Sequence, residues 1–383
     1  MKLCDSSSCV GCCACLNICS QKAIQMTKNK FGELLPSIDM KKCIECGACR
    51  KVCPVINDTE KSSPLAAYAA WSKDAETVRN SASSGIVTEL SGEIISAGGV
   101  VFGTRYEGNT LIFDYADNQE KIELFKGSKY VHAYIGNAYQ SVKKFLKTGV
   151  KVLFVGTPCQ IAGLKCFLNK NYPNLYTVDL ICHGVAPNAY LQEYMRDKLG
   201  KKTYDSVIFR GAEGEKTVAY NQDRIIYLKK KTADYFYYAY AKGLIHRENC
   251  YSCPYSSQER VGDITAGDFW GIDKNKLNIN ASEIPYVSLV LVNNLKGKDL
   301  FKMAQKRLIF EERPFSEALS ANKQLTAPCQ KNDERDMFLK IYSKTGFIKA
   351  MKSTELYRVV RKNDIHYKCF DMLSRIKKLL IKK

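Results

Sequence analysis

Apolar positions in the middle of the chain predict a buried sheet. Lys151-Val152-Leu153-Phe154-Val155-Gly156 is a short apolar run closed by glycine, followed by Thr157-Pro158-Cys159-Gln160 and a helical pattern from Ile161 to Leu168. That order, strand then tight turn then helix, is characteristic of a parallel sheet buried on both faces. It recurs at once: Leu175 to Ile181 runs into Cys182-His183-Gly184 and a further helical stretch through Tyr190-Leu191. Both cysteines then fall at strand C-termini, where open α/β sheets place ligands. If the two strands are neighbours, about 5 Å apart, Cys159 and Cys182 converge. A helix is expected over Val87 to Ile95. The basic-then-aromatic run Lys229 to Tyr240 is expected to continue helically to Cys250 and to pack the CxxC against the core. A nucleic-acid stacking platform is the disfavoured reading of that run, and no nucleic-acid partner is expected.

The N-terminal pattern is different, because cysteines set it. Cys9, Cys12, Cys15 and Cys19 are followed by Cys43, Cys46, Cys49 and Cys53-Pro54, both runs spaced x2, x2, x3. This is the spacing of a two-cluster bacterial ferredoxin, in which the fourth cysteine of each run serves the other cluster. One 4Fe-4S cluster is expected on Cys9, Cys12, Cys15 and Cys53, and a second on Cys43, Cys46, Cys49 and Cys19. Between them, Ala23-Ile24 to Ile38-Asp39 reads as two short strands around Lys30-Phe31-Gly32. Zinc is the alternative for paired CxxC units, but it gives no reason for a third and fourth cysteine in each run. Ser20 stands where a proline is expected after Cys19, and Cys4 and Cys13 have no assigned role.

Composition adds a second, larger domain, since 383 residues at 45% hydrophobic content can build a full core. The polar stretch Asn57 to Pro64 reads as a linker, giving a ferredoxin-like domain over 1–60, an oxidoreductase domain over 65–330 and a helical basic tail over 331–383. The fold class is α+β and α/β, a two-cluster ferredoxin module ahead of a mixed α/β domain. Seventeen cysteines without an apolar leader point to a reducing cytoplasm. Net charge is +19; residues 1–60 carry eight basic and six acidic residues, whereas 350–383 carry ten and three. That surface suits an acidic electron donor such as a soluble ferredoxin. Cys369, Leu373, Ile376 and Leu380 make the tail a basic amphipathic helix, expected to dock on its own protein; the alternative is a peripheral contact with an anionic membrane on the cytoplasmic face.

Cys250-x2-Cys253 brings the cysteines of the second domain to four with Cys159 and Cys182, the ligand count of a third cluster. By spacing alone, a redox pair or half a zinc site fits equally well. The segments Ser81 to Thr88, Lys126 to Tyr130, Gly156 to Gln160, Asp179 to Gly184, Cys250 to Cys253 and Arg260 to Gly271 together resemble the coenzyme F420 hydrogenase/dehydrogenase beta-subunit family, over roughly residues 1–275. The resemblance implies a third 4Fe-4S cluster on Cys159, Cys182, Cys250 and Cys253, and FAD beside it.

With that implication, Ser83, Ser84, Gly85 and Thr88 at a helix start become a diphosphate site, and Gly127, Ser128, Lys129, Tyr130, Thr157 and Asp268 join them as cofactor-binding candidates. Lys129 would neutralise phosphate or a reduced flavin, and His183 would donate a proton. Asp263, like Asp268, could bond flavin or substrate. No G-x-G-x-x-G follows a strand, so a nicotinamide site of the Rossmann type has no support. Flavin would connect one-electron clusters to a two-electron acceptor. The expected function is therefore a ferredoxin-dependent iron-sulfur flavoprotein reductase acting on a small-molecule or sugar-linked acceptor, the latter a cell-envelope polysaccharide intermediate. The alternatives are an electron-transfer beta subunit of a larger complex and, less favoured, a zinc-binding protein.

Overall fold

The computed structural model describes residues 3–381, with side chains as far as Phe370. Strands β1 (Ile24–Lys28) and β2 (Leu34–Ile38) form an antiparallel hairpin between the two cysteine runs. The runs share one backbone pattern. Gly11 and Cys13 have φ of +67° and +60°, and Glu45 and Gly47, at the same offsets, have +53° and +73°. Left-handed residues at alternate positions curl a loop so that its N–H groups point inward, an arrangement that favours an anionic guest. Cys13, unassigned from spacing, occupies one of these turning positions and directs its thiol to the Gly11 carbonyl at 3.6 Å.

The larger unit is built on an eight-stranded mixed sheet containing β3 (Ala66–Ser72), β4 (Val100–Glu107), β5 (Thr110–Ala116), β6 (Val152–Gly156) and β7 (Leu175–Leu180). A separate antiparallel sheet of three follows, β8 (Ser206–Ile208), β9 (Lys216–Asn221) and β10 (Arg224–Lys230). The large sheet is completed by β11 (Ile264–Asp268), β12 (Ser288–Val292) and β13 (Leu308–Arg313), in the order β13-β3-β12-β11-β7-β6-β4-β5. Its centre is parallel, with β4 beside β6, β6 beside β7 and β7 beside β11. Val152 and Phe154 enter one apolar core and Leu153 and Val155 the other. Burial on both faces explains the unbroken apolar run at β6.

The first of these cores continues without interruption into the N-terminal module through Val10, Cys12, Ala14 and Val52, and into the C-terminal helices through Phe338, Tyr342, Phe347 and Met351. The polar segment 57–64 crosses between the module and the sheet, with Ser62 and Arg260 exchanging both backbone hydrogen bonds at 2.9 Å.

The helix expected to run on to Cys250 needs correction. It spans Tyr235–Ala241 and stops there, and Cys250 lies on a separate 3-10 turn, Glu248–Ser252. Gly243 breaks the helix at φ +67°, where a Cβ would meet the Gln330 carbonyl oxygen at 2.1 Å. The lysines before it are each engaged: Lys229 pairs with Asp364, Lys230 lies 4.2 Å from the Tyr367 ring centre, and Lys231 pairs with Glu215. The first two contacts dock the last helix, Glu355–Ile381, onto β10, and Tyr235 stacks on Tyr357 at 4.9 Å. Cys369 is exposed; Leu373, Ile376 and Leu380 lie outside the described side chains. Among the described residues no helix is long and apolar enough to cross a membrane.

Candidate iron-sulfur and cofactor site

Strand order assembles the site. Cys159 follows β6, Cys182 follows β7 and Asp268 closes β11, so three neighbouring parallel strands end at one place. A cavity of about 610 Å³ opens there, within the usual range for cofactor pockets. Cys159, Cys182, Cys250 and Cys253 all line it. Burial pushes the Cys159 and Cys250 thiols up to about 12 and Cys182 well above its usual value, each raised further by its neighbouring cysteines. Thiols so disfavoured as thiolates need a cationic centre to ionise, which is what iron supplies. Thr157 also lines the cavity, its hydroxyl lying 3.2 Å from Cys159 Sγ. Among the described residues no three His, Cys, Asp or Glu side chains gather around a single-ion point.

The N-terminal cysteines divide between two places. Cys9, Cys12, Cys15 and Cys53 border one small void together with Cys4 and Cys13. Cys4 shares hydrogen bonds with Cys9 and Cys53. The Cys49 thiol is raised by burial and by nearby Cys46 and Cys19, and Cys43 is half-buried at the start of that run. The fourth cysteine of each run thus sits with the other run.

The helix Ile86–Ser96 aims its N-terminus at the cavity. Its N-cap, Gly85, has φ +86° and offers no side-chain cap, so the first-turn N–H groups remain available to an anion. Ser83, Gly85 and Thr88 line the cavity. Ser84 does not: its hydroxyl donates to the Ala70 carbonyl at 3.0 Å and pairs with Ser288 Oγ at 2.7 Å, fully buried behind the turn. The expectation that Ser84 binds cofactor is corrected accordingly, since its hydroxyl holds β3 to β12.

Gly127, Ser128, Lys129 and Tyr130 also line the cavity. The Ser128 N–H donates to the Arg210 carbonyl at 2.9 Å. Lys129 Nζ donates to the carbonyls of Phe125, Lys126 and Gly127 at 2.9, 2.7 and 3.2 Å, which uses all three of its protons within its own loop. Burial lowers this ammonium to about 7, while the three carbonyls favour its charged form. Tyr130 packs on protein rings, stacking with Tyr240 at 4.5 Å and Phe209 at 5.3 Å. His183 is exposed and lines the cavity; the protein around it lowers its pKa and the Asp268 charge opposes the shift. Asp263 is structural, accepting from the Thr177 N–H at 2.7 Å and hydroxyl at 2.8 Å.

Three residues of the site carry no signal in the sequence. Cys329 lines the cavity, its thiol 3.6 Å from the Cys250 carbonyl. His132 packs against Gly11, where a Cβ would meet its ring at 2.8 Å. Arg247, fully buried, donates to the Cys9 carbonyl at 3.0 Å and the Leu34 carbonyl at 3.3 Å, and its charge also reaches Cys159 and Cys250. A cation thus sits between the N-terminal cysteines and those of the cavity. Replacing Arg247 by methionine is expected to lower holoprotein stability by about 1–3 kcal/mol for each carbonyl left unpaired; thermal unfolding unchanged from wild type would contradict this.

Two cysteine-bearing loops packed on an α/β sheet, with four more cysteines gathered from two of its strand ends and a 3-10 turn on one cavity, define an iron-sulfur redox protein. Comparison with known proteins agrees. Residues 149–318 match the family model that describes the C terminus of the coenzyme F420 hydrogenase/dehydrogenase beta subunit, and residues 8–57 match the 4Fe-4S dicluster domain. Over residues 149–318 the chain is similar to that beta-subunit family, and it carries an N-terminal iron-sulfur, electron-transfer module. A 65-residue stretch is 35% identical to an uncharacterized polyferredoxin-like protein of Methanocaldococcus jannaschii, spanning 15% of this chain and 39% of that protein. A chain of the F420-reducing NiFe hydrogenase complex from Methanosarcina barkeri superposes with a TM-score of 0.45 at 17% identity, covering 76% of this chain and 91% of that one.

Proposed function

We propose that this chain is an iron-sulfur flavoprotein oxidoreductase, moving electrons between a ferredoxin-type donor and a small organic acceptor bound in the cavity. The observation that carries the reading is the convergence of Cys159, Cys182, Cys250 and Cys253 on the cavity into which an uncapped helix N-terminus also opens. The residues fit the groups implied. Cys9, Cys12, Cys15 and Cys53 would hold one 4Fe-4S cluster, Cys43, Cys46, Cys49 and Cys19 a second, and the four cavity cysteines a third. Ser83, Thr88 and the N–H groups after Gly85 would hold the diphosphate of FAD. A bound flavin supplies the exchange between one-electron and hydride-level chemistry. His183, which lines the cavity beside Cys182, would hold the proton that the acceptor takes up.

A second reading, an electron-transfer subunit without its own substrate, is favoured by the hydrogenase and dehydrogenase beta subunits that the matched family model describes. Anaerobically purified protein tests the first reading through its absorption before and after dithionite, with iron and released flavin counted on the same sample. Iron for three cubes with one FAD, bleaching together, is the expected result. Iron for two cubes and no flavin would sink the roles given to His183 and the cavity cysteines. A fully loaded monomer that reduces no small molecule would move the balance to the second reading.

A further inference from the structure

Arg210 follows β8 and stands where several parts of the cavity wall meet. Its carbonyl holds the Ser128 N–H, and its guanidinium pairs through Nη1 with Asp268 at the end of β11. The Tyr286 ring lies against the guanidinium face with its centre 3.6 Å from Cζ, and the Trp270 ring centre is at 5.8 Å. The side chain is 6% exposed, yet Nε and Nη2 have no hydrogen-bond partner, and neither has Asp268 Oδ1. These two nitrogens form one edge of the guanidinium, with parallel N–H bonds spaced for two oxygens of a single anion. Tyr286 fixes the plane and Asp268 fixes the opposite corner, so the free edge is held in one orientation. Buried donors left unpaired carry a desolvation cost, which an incoming oxyanion removes. The charge on the wall has the right sign: Lys126, Lys129, Arg210, Lys231 and Arg247 face Glu215 and Asp268, a formal +3 from five cations and two anions.

We propose that Arg210 anchors the acceptor, and that the acceptor is a small oxyanion-bearing molecule whose carboxylate or phosphate is taken edge-on by Nε and Nη2 beside Trp270. The assignment rests on reading the cavity as an acceptor site. It makes Arg210 a binding residue for substrate, distinct from the helix N-terminus proposed for the cofactor.

Benzoate and phenyl phosphate carry the two oxyanions on the same ring and separate the sources. Calorimetric titration of each into anaerobic holoprotein, with iron and flavin counted on every sample, is expected to show saturable binding of at least one. Affinity should fall at least about tenfold in Arg210→Gln and in Arg210→Lys, which keeps the charge but loses the paired donors. Iron and flavin should stay at wild-type levels. Because Arg210→Gln leaves Asp268 alone, the double variant Arg210→Gln/Asp268→Asn and the rim variant Trp270→Ala repeat the test with a neutral partner and an intact guanidinium. Trp270→Ala should weaken whichever probe binds while leaving the preference between carboxylate and phosphate unchanged. No saturable binding to fully loaded wild type, or equal affinity in Arg210→Lys, would overturn the proposal. Loss of flavin in Arg210→Lys would also overturn it, by giving Arg210 to the cofactor. Wild type that lacks flavin yet binds a probe in an Arg210-dependent way would keep the anion site and remove only the flavoprotein reading.

Discussion

Replacing Asp179 by alanine is expected to cost about 3–5 kcal/mol of folding stability, because it strands a buried arginine. Asp179 is fully buried near the end of β7. It accepts from Arg260 Nη2 at 3.0 Å, Thr265 Oγ1 at 2.6 Å, the Gly262 N–H at 2.9 Å and the Val261 N–H at 3.2 Å. Arg260 in turn donates to the carbonyls of Tyr255 and Ser257 at 3.0 and 3.1 Å and to Leu180 at 3.2 Å. The carboxylate therefore ties the loop after Cys253 to the strand that leads into Cys182. Losing it should loosen two of the four cavity cysteines at once. Chemical denaturation of the holoprotein measures the first effect and retention of iron on dilution the second. A midpoint within experimental error of wild type would show that neighbouring water or repacking replaces the carboxylate, against this account.

The same region shows what could be read from residues alone. The cysteine runs announce themselves because only two or three residues separate each ligand from the next, and local spacing survives any later packing. β6 is legible because burial on both faces demands an unbroken apolar run, and β7 because it repeats the strand-turn-helix order; their ends carry Cys159 and Cys182 with them. Cys250 and Cys253 reach the cavity through a 3-10 turn after Gly243, a long-range placement that no periodicity encodes. The aromatic run hides the break, since Leu244 and Ile245 are as buried as the helix before them. Ser83 and Ser84 look identical in sequence and both reach the Ser288 hydroxyl, some two hundred residues away, but only Ser84 also donates to the Ala70 carbonyl and lies behind the cavity wall. Lys129 is hard to read for the reverse reason: its partners are the carbonyls of its own loop, a local closure that composition does not advertise. Arg247 and His132 act between the N-terminal module and the sheet, and an interface of that kind is visible only when both sides are folded.

That interface supplies the other large effect. Gly163 lies in the helix Pro158–Leu168, one turn after Cys159, with the Cys12 loop directly against it. A Cβ at Gly163 would meet Cys12 Cβ at 2.7 Å, Cys12 Sγ at 2.8 Å and the Tyr139 hydroxyl at 3.0 Å. None of these can yield cheaply. Cys12 is fixed by its tight loop, and Tyr139 is fully buried with its hydroxyl donated to the Gln160 carbonyl at 2.7 Å. Gly163→Val is therefore expected to force the module off the helix, at an overpacking cost of about 1–3 kcal/mol or more. The displaced group is a proposed cluster ligand, so iron should drop by one cube per chain. Gly163→Ala should show a smaller loss of stability in the same direction. Dithionite titration of both variants separates the consequences. If Gly163→Val keeps its full iron but its cavity chromophores reduce slowly, the contact serves electron passage more than ligation. If iron, stability and reduction all match wild type, the close approach of Cys12 to this helix serves neither ligation nor electron passage.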